Sequence, residues 1–135
     1  MIIRSSNLTN IYGANPNYNV SVSELSSPAL QTINLTGTKY SGALTLTDSA
    51  SYANLNTINI SNTAIALTVE NLGVQNINIS NVSCNNCIID KCNNITSLQL
   101  SGLTVSTQFT LSVNYASTVL FNEFECTKFT VSSSV

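Results

Sequence analysis

The sequence predicts an all-β protein, folded as a single-domain parallel β-solenoid of about five to six coils, with roughly 21 residues and three short strands in each coil. Three observations predict this fold. Five segments repeat one pattern of apolar residues at offsets of 25, 19, 21 and 21 residues, namely 30–40, 55–65, 74–84, 95–105 and 116–126. Apolar and polar residues alternate within each segment, which is the period of a β-strand. A Gly or an Asn recurs at one fixed position in four of the five segments, where a sharp corner is expected.

The N-terminal part of the chain matches the pattern poorly. Residues 1–29 contain only two fragments of it, Leu8-x-x-Ile11 and Val20-x-Val22. Terminal repeats of a solenoid are often atypical because they close its ends. We therefore expect a cap or a degenerate coil over residues 1–29 and the solenoid proper over residues 30–135.

The first side of each coil, strand A, begins with the pattern apolar-x-x-apolar-x-apolar. Its last two apolar positions should point inward, and they are Ile33/Leu35, Ile58/Ile60, Ile77/Ile79, Leu98/Leu100 and Val119/Phe121. A corner should follow, because Gly and Asn adopt positive φ more readily than other residues. The corner residues are Gly37, Asn62, Asn81, Gly102 and, against the rule, Glu123.

Two further sides complete each coil and predict a roughly triangular cross-section. Strand B is expected to point inward with Thr38/Tyr40, Thr63/Ile65, Val82/Cys84, Leu103/Val105 and Phe124/Cys126. Strand C is expected to do so with Leu44/Leu46, Leu67/Val69, Cys87/Ile89, Phe109/Leu111 and Phe129/Val131. One coil cannot bond its own strand N–H and C=O groups, so coils must stack in parallel about 4.8 Å apart to satisfy them.

The motif Leu55-x-x-Ile58-x-Ile60 resembles the opening of a leucine-rich repeat, and the resemblance extends over residues 30–126. The resemblance ends after strand A, where that family has a buried Asn or Cys. The residues at that position are Thr38, Thr63, Val82, Leu103 and Phe124. The return leg also differs, because here it has the pattern of a strand and not of a helix. The chain therefore looks more like a right-handed parallel β-helix of the kind common in virus and phage spikes, surface adhesins and polysaccharide lyases. This resemblance concerns architecture, and architecture alone does not give function.

The surface is expected to be polar but almost uncharged. Only 7% of the 135 residues are charged, the net charge is −2, and the four basic residues, Arg4, Lys39, Lys91 and Lys128, are scattered. A nucleic-acid partner is not expected, because it would require clustered basic residues. No apolar run is long enough to span a membrane, and the start lacks the hydrophobic segment of a signal peptide. We expect a chain that is made in the cytoplasm and ends in a virion or another assembled particle.

Four cysteines are the first candidate site: Cys84, Cys87, Cys92 and Cys126. Cys84-x-x-Cys87 matches half of a zinc motif, but the chain has no histidine and Cys126 lies two coils away. The repeat offers a simpler interpretation, because these cysteines fall where other coils have apolar residues, and a free Cys behaves as a small hydrophobe. We predict core packing, no metal and no cofactor, with a disulfide or a metal site as the alternatives.

Glu70 and Asp90 are the second candidate site. Both directly follow strand C, so they should stack on adjacent coils about 5 Å apart. Such a pair can serve as an acid and a base, as the carboxylates of a retaining glycosidase, or as a cation site. Lys91 is the only basic neighbour and histidine is absent, so solvated turn residues are the favoured interpretation, and we predict no enzyme.

Outward positions should form ranks along the column. Strand A presents Asn34, Asn59, Asn78, Gln99 and Leu120. Strand C presents Thr45, Thr68, Ile88, Thr110 and Thr130. A flat threonine rank suggests ice binding, but the charges of Glu70 and Asp90 interrupt the neighbouring rank. We expect structural ranks, in which stacked amide side chains bond to one another.

The final two coils are the third candidate, an interface. All four phenylalanines lie there, and Leu120 replaces an amide at an outward position. The open end of a solenoid exposes unpaired strand edges that need covering. The predicted interface residues are Leu120, Phe121, Phe124 and Phe129.

These features favour a non-enzymatic structural, assembly or attachment protein that contacts other protein chains, as a homo-oligomer or in a larger assembly, with a phage particle as the leading setting. One alternative is a carbohydrate-binding or carbohydrate-cleaving β-helix module with Glu70 and Asp90 as its acids. The tyrosines that would stack on a glycan are Tyr12, Tyr18, Tyr40, Tyr52 and Tyr115. The other alternative is a bacterial surface or scaffold repeat protein.

Overall fold

The computed structural model describes residues 10–14, 29–36, 41–47, 52–113 and 118–133, and these form an all-β parallel solenoid of about four turns. The described residues contain nine strands and no helix. In chain order the strands are β1 (Asn10–Ala14), β2 (Thr32–Thr36), β3 (Ser41–Leu46), β4 (Thr57–Glu70), β5 (Asn76–Cys92), β6 (Ser97–Val113), β7 (Thr118–Asn122), β8 (Glu125–Cys126) and β9 (Phe129–Ser133).

The strands stack in one column, in the order β1-β2-β4-β5-β6-β7, and every pairing is parallel. β3 pairs with β4, while β8 and β9 pair with β6. Ile58 lies between Ile33 and Ile77, and Ile77 pairs in turn with Leu98. The register predicted from the apolar repeat is therefore confirmed, since residues about one coil apart in sequence are neighbours in space.

Two details of the predicted architecture were wrong. The described residues form about four turns rather than five to six. The prediction of three separate strands per coil also fails in the central coils. There, β4, β5 and β6 are each assigned as one strand of 14, 17 and 17 residues that includes the corners. Parallel pairing resumes after each corner, with local register shifts such as the one between Thr63 and Leu67.

The predicted corner after strand A is confirmed by its backbone angles. Asn62, Asn81 and Gly102 have φ of 53°, 51° and 60°. Glu123, which broke the sequence rule, adopts the same conformation with φ of 52°. A non-glycine residue other than Asn is strained there, so the stack must impose this geometry on the last coil. Gly37 lies outside the described residues.

The core is a ladder of aliphatic side chains inside the column. In the strands from β2 to β6, the described positions predicted to point inward are buried, including Thr63, which is 5% exposed. Residues of the connections between coils join the same cluster: Leu30, Tyr52, Leu55, Leu72, Val74 and Ile95. Burial of these side chains from water is the main stabilising contribution expected for such a column.

The boundary expected near residue 29 falls largely outside the described residues. Within 1–29, the structure describes β1, which pairs with β2 so that Ile11 lies opposite Ile33. Among the described residues there is no helix with the length and apolarity needed to cross a membrane.

Candidate functional site

The C-terminal end of the column carries the exposed large apolar side chains of the described structure. Leu120, Phe121, Phe129 and Val131 are 55, 42, 42 and 60% exposed. The residues paired with the last three one coil earlier, Leu100, Phe109 and Leu111, are buried. We refer to Phe121, Phe129 and Val131 as the terminal face. They are the last rung of the core, and among the described residues no further coil lies over them.

Phenylalanine rings pack together beneath and within this face. Phe109 is fully buried, and its ring is stacked on Phe129 with centroids 5.2 Å apart and an interplanar angle of 3°. This contact follows from the register, because Phe109 and Phe129 are paired residues of β6 and β9. Phe124 meets Phe109 edge-on at 5.3 Å and Phe121 at 5.1 Å. Contacts of this kind hold the rings in fixed positions, so the face is preformed.

The backbone of the same end offers a second kind of contact. β7, β8 and β9 are hydrogen-bonded to β6 on one side and to no other described strand. Within the described ranges, their opposite edges carry N–H and C=O groups that no strand pairs with, and such an edge can pair with another chain. The same coil carries three exposed charged residues, Glu123, Glu125 and Lys128. An apolar centre with a polar rim is the usual organisation of a protein interface.

The four residues predicted as an interface do not all contribute in the same way. Phe121 and Phe129 are exposed on the terminal face, while Phe124 is partly buried against the core. Leu120 is exposed in the outward rank after Gln99, so it lies at the side of the face. Val131 was missed, although its alignment with the buried Leu111 is a signal that could have identified it.

The acidic pair lies together as the repeat predicts. Glu70 and Asp90 are paired residues of β4 and β5, and Lys91 Nζ is 4.0 Å from Asp90 Oδ2. Ser112 follows Leu111 as Glu70 follows Val69, so the alternation predicts an outward position in the same rank. Ser112 is instead buried, and the pairing of β5 with β6 is irregular between Ile89 and Cys92. Asp48 lies outside the described residues. Within the described ranges, no group of three or more Cys, Asp or Glu side chains is arranged to hold a metal ion.

The cysteines are free thiols in positions that the apolar repeat assigns to the core. Cys87 is paired with Leu67 on one side and Phe109 on the other. Burial raises the pKa of Cys84 from 9.0 to about 11. Burial, and then the neighbouring Cys84 thiol, raise the pKa of Cys87 further. Burial also raises the pKa of Cys92, whose Sγ donates to the carbonyl oxygen of Asp90 at 3.3 Å. Core packing is therefore what the structure shows for the three buried cysteines.

The outward amide rank is a hydrogen-bonded ladder. Asn59 Nδ2 donates to Asn34 Oδ1 at 2.6 Å, and Asn78 Nδ2 donates to Asn59 Oδ1 at 2.7 Å. The corners carry a second ladder of side-chain amides, in which Asn81 Nδ2 donates to Asn62 Oδ1 at 3.2 Å. The amides thus bind one another along the column, which is the structural role expected of them.

A shallow polar groove of about 400 Å³ lies at the start of strand A and is lined by Gln31, Thr32, Asn54, Asn56 and Thr57. Tyr52 lies two residues before Asn54 in the sequence, and it was expected to be exposed for stacking on a glycan. That prediction was wrong, because the ring is buried in the core cluster. The side chains of Tyr12, Tyr18, Tyr40 and Tyr115 lie outside the described part of the molecule.

Comparison with known proteins adds no relative, since no protein family, no curated protein and no solved structure matches this chain.

Proposed function

We propose that this protein is a non-enzymatic structural or assembly component that binds another protein chain through its terminal face, with a phage or other virus particle as the leading setting. The observation that carries the proposal is the exposure of Phe121, Phe129 and Val131 on a strand edge with no described neighbour. Exposed apolar groups and unpaired edges on one surface favour association, because both are better satisfied when covered.

The remaining surface supports a structural role. Side chains of neighbouring coils bond to each other, as in the Asn34, Asn59 and Asn78 ladder, and Ser61 Oγ donates to Thr36 Oγ1 at 3.0 Å. These contacts use polar groups to hold coil against coil. The buried cysteines have raised pKa values and are kept as neutral thiols near neutral pH, which suits packing rather than nucleophilic chemistry.

The test of the setting is a search for this chain in purified particles. Particles from the source culture are banded on a density gradient, and each fraction is analysed by mass spectrometry for peptides of the chain. Enrichment in step with the major capsid protein is the expected result. Repeated absence from banded particles, with the chain present in the lysate, would remove the virion setting.

A carbohydrate-binding or carbohydrate-cleaving module is the second candidate, and the stacked carboxylates of Glu70 and Asp90 are the observation that favours it. Its test is a glycan array with the wild-type chain and with Glu70→Ala and Asp90→Ala variants. Binding that both substitutions abolish would support this candidate, and the absence of binding by the wild-type chain would end it. A bacterial surface or scaffold protein, the third candidate, would be encoded beside cell-wall or secretion genes rather than capsid genes.

A further inference from the structure

The inward apolar residues on the first and third sides of the terminal coil are arranged symmetrically about Glu125. Three of the seven pairs of residues at equal distances from Glu125 match, namely Thr118/Ser132, Val119/Val131 and Phe121/Phe129. The other four pairs differ, but they include no inward position of the first or third side. The inward positions share this symmetry, because β7, β8 and β9 are aligned with the three sides of β6 and a two-residue corner separates each pair of sides. The first side and the third side of this coil therefore carry the same inward residues at mirrored spacing.

This symmetry has a consequence for self-association. A two-fold axis that passes through Glu125 and lies in the plane of the coil would place β7 of one molecule over β9 of a second. The two strands would run antiparallel, so their unpaired edges could form a ladder. Inward residues would face inward residues, because each matched pair has the same orientation. An interface of this type is isologous, and it requires a surface that is complementary to itself.

We propose that the terminal face binds a second copy of this chain, tail to tail, with Phe121 over the partner's Phe129 and Val119 over the partner's Val131. The inference rests on the proposed function, and it names the partner that the terminal face takes. The Phe129 ring is stacked on Phe109, and the Phe121 ring packs against Phe124 and Phe129, so little ordering is required on binding. The contact would cover the exposed Phe121, Phe129 and Val131 of both molecules.

The charges at the rim fit the same arrangement, with one exception. Lys128 would lie opposite the partner's Asn122 and beside the partner's Glu123, so opposite charges come close on both sides of the axis. Glu125 lies on the axis and would face the partner's Glu125. Like charges directly opposite each other are destabilising. This single repulsion gives the proposal a signature that other modes of association lack.

Sedimentation velocity of the purified chain over a wide concentration range is the first experiment, and it should show a dimer. Val131→Arg should weaken the dimer by roughly 30-fold or more, the effect of losing an interface hot spot. Ser83→Arg is the matched control, since Ser83 is exposed on β5, two coils from the end, and should leave dimerisation unchanged. Glu125→Gln should tighten the dimer by about two- to fivefold, because the repulsion on the axis is removed.

A crosslinking experiment fixes the geometry and does not depend on the stability of the Val131→Arg variant. A Glu125→Cys variant, made with Cys126→Ser, places one thiol on the proposed axis, and oxidised glutathione should convert it to a covalent dimer. Ser83→Cys is the control and should stay monomeric on a non-reducing gel. A chain that is monomeric at all concentrations and gives no crosslink overturns the tail-to-tail contact. A dimer whose dissociation constant changes with neither Val131→Arg nor Glu125→Gln also overturns it.

These outcomes are separate from a failure of the proposed function. A monomer that is nevertheless found in purified particles would keep the assembly role and reject the second copy as the partner. A tail-to-tail dimer that is absent from particles would keep the interface and reject the virion setting.

Discussion

Gly102 lies directly against Asn81 at the corner of adjacent coils, and a Cβ added to the glycine would come 2.7 Å from Asn81 Oδ1. The glycine also has φ of 60°, a conformation that other residues adopt with strain. The same corner is occupied by Asn in the two preceding coils and by Glu in the last, so the stack requires the geometry whatever the residue.

Gly102→Ala should therefore destabilise the protein, by about 1–2 kcal/mol in urea unfolding, because it adds backbone strain and a close contact. Gly102→Asn should cost less, since Asn tolerates positive φ. Gly73→Ala is the matched control, because a Cβ there would lie 3.4 Å from Asn94 Nδ2, and Gly73 has no positive φ. Equal losses at Gly73 and Gly102 would contradict the strained corner.

Asn59→Ala should remove two hydrogen bonds of the amide ladder, one given to Asn34 and one received from Asn78. We expect a loss of about 1–2 kcal/mol in the free energy of unfolding, given the usual net contribution of such bonds. Gln99→Ala, at an exposed position further along the same rank, provides the comparison. A smaller loss at Asn59 than at Gln99 would show that the ladder contributes little.

The four thiols should react with a disulfide reagent in two classes at pH 8. Cys126 is partly exposed and should react first, while Cys84, Cys87 and Cys92 are buried with raised pKa values and should react slowly. Alkylation followed by mass spectrometry identifies which thiols react at each time. Fast labelling of Cys87 in the native protein would contradict the buried arrangement.

The same pKa shifts predict a loss of stability at alkaline pH. A buried thiol with a folded-state pKa above 9.0 stabilises the folded state fully below pH 9, where the thiol is neutral in both states. As pH rises from about 9 towards 11, the unfolded state releases protons that folded Cys84 retains, so the free energy of unfolding should fall. Urea titrations across this range test it, and a Cys84→Ala variant should lose less stability over the same interval.

Phe109 should be the costliest single residue of the C-terminal coils to remove. It is fully buried and contacts Phe124 and Phe129, so Phe109→Ala should cost about 3–5 kcal/mol. Phe109→Leu should cost less, because Leu67 fills the same inward position two coils earlier. Thermal unfolding followed by circular dichroism measures both, and a near-native melting temperature for Phe109→Ala would contradict the central place of this ring.

Much of the fold could be predicted from the sequence because inward apolar residues repeat at every coil. The pairing of Ile33, Ile58 and Ile77 follows from that repeat, as does the stacking of Glu70 on Asp90. The conformation of Glu123 could not be predicted, because it is imposed by the coil below rather than favoured by the residue. The burial of Ser112 depends on a local register shift, and the burial of Tyr52 on a connection outside the repeat, so neither had a signal in the pattern.

The candidate site was predicted only in part, for a related reason. The sequence indicated that the phenylalanines lie at one end of the column. Whether a given side chain is exposed depends on whether another coil stacks over it. Phe109 and Phe129 occupy the same inward position in consecutive coils, yet one is buried and the other is 42% exposed. Nothing in the local sequence distinguishes them, because the difference arises from the stacking order alone.

The parallel register of β4, β5 and β6 also bears on how the chain acquires its structure during synthesis. Each rung pairs with residues made about one coil earlier, so the loop that must close is short and its entropic cost is modest. Growth can then proceed from a central nucleus by addition of single rungs, as in other linear arrays. At every intermediate stage the newest rung is a template for the next, so a ribosome-bound chain would pass through several uncovered strand edges before the coil of Phe129 is added.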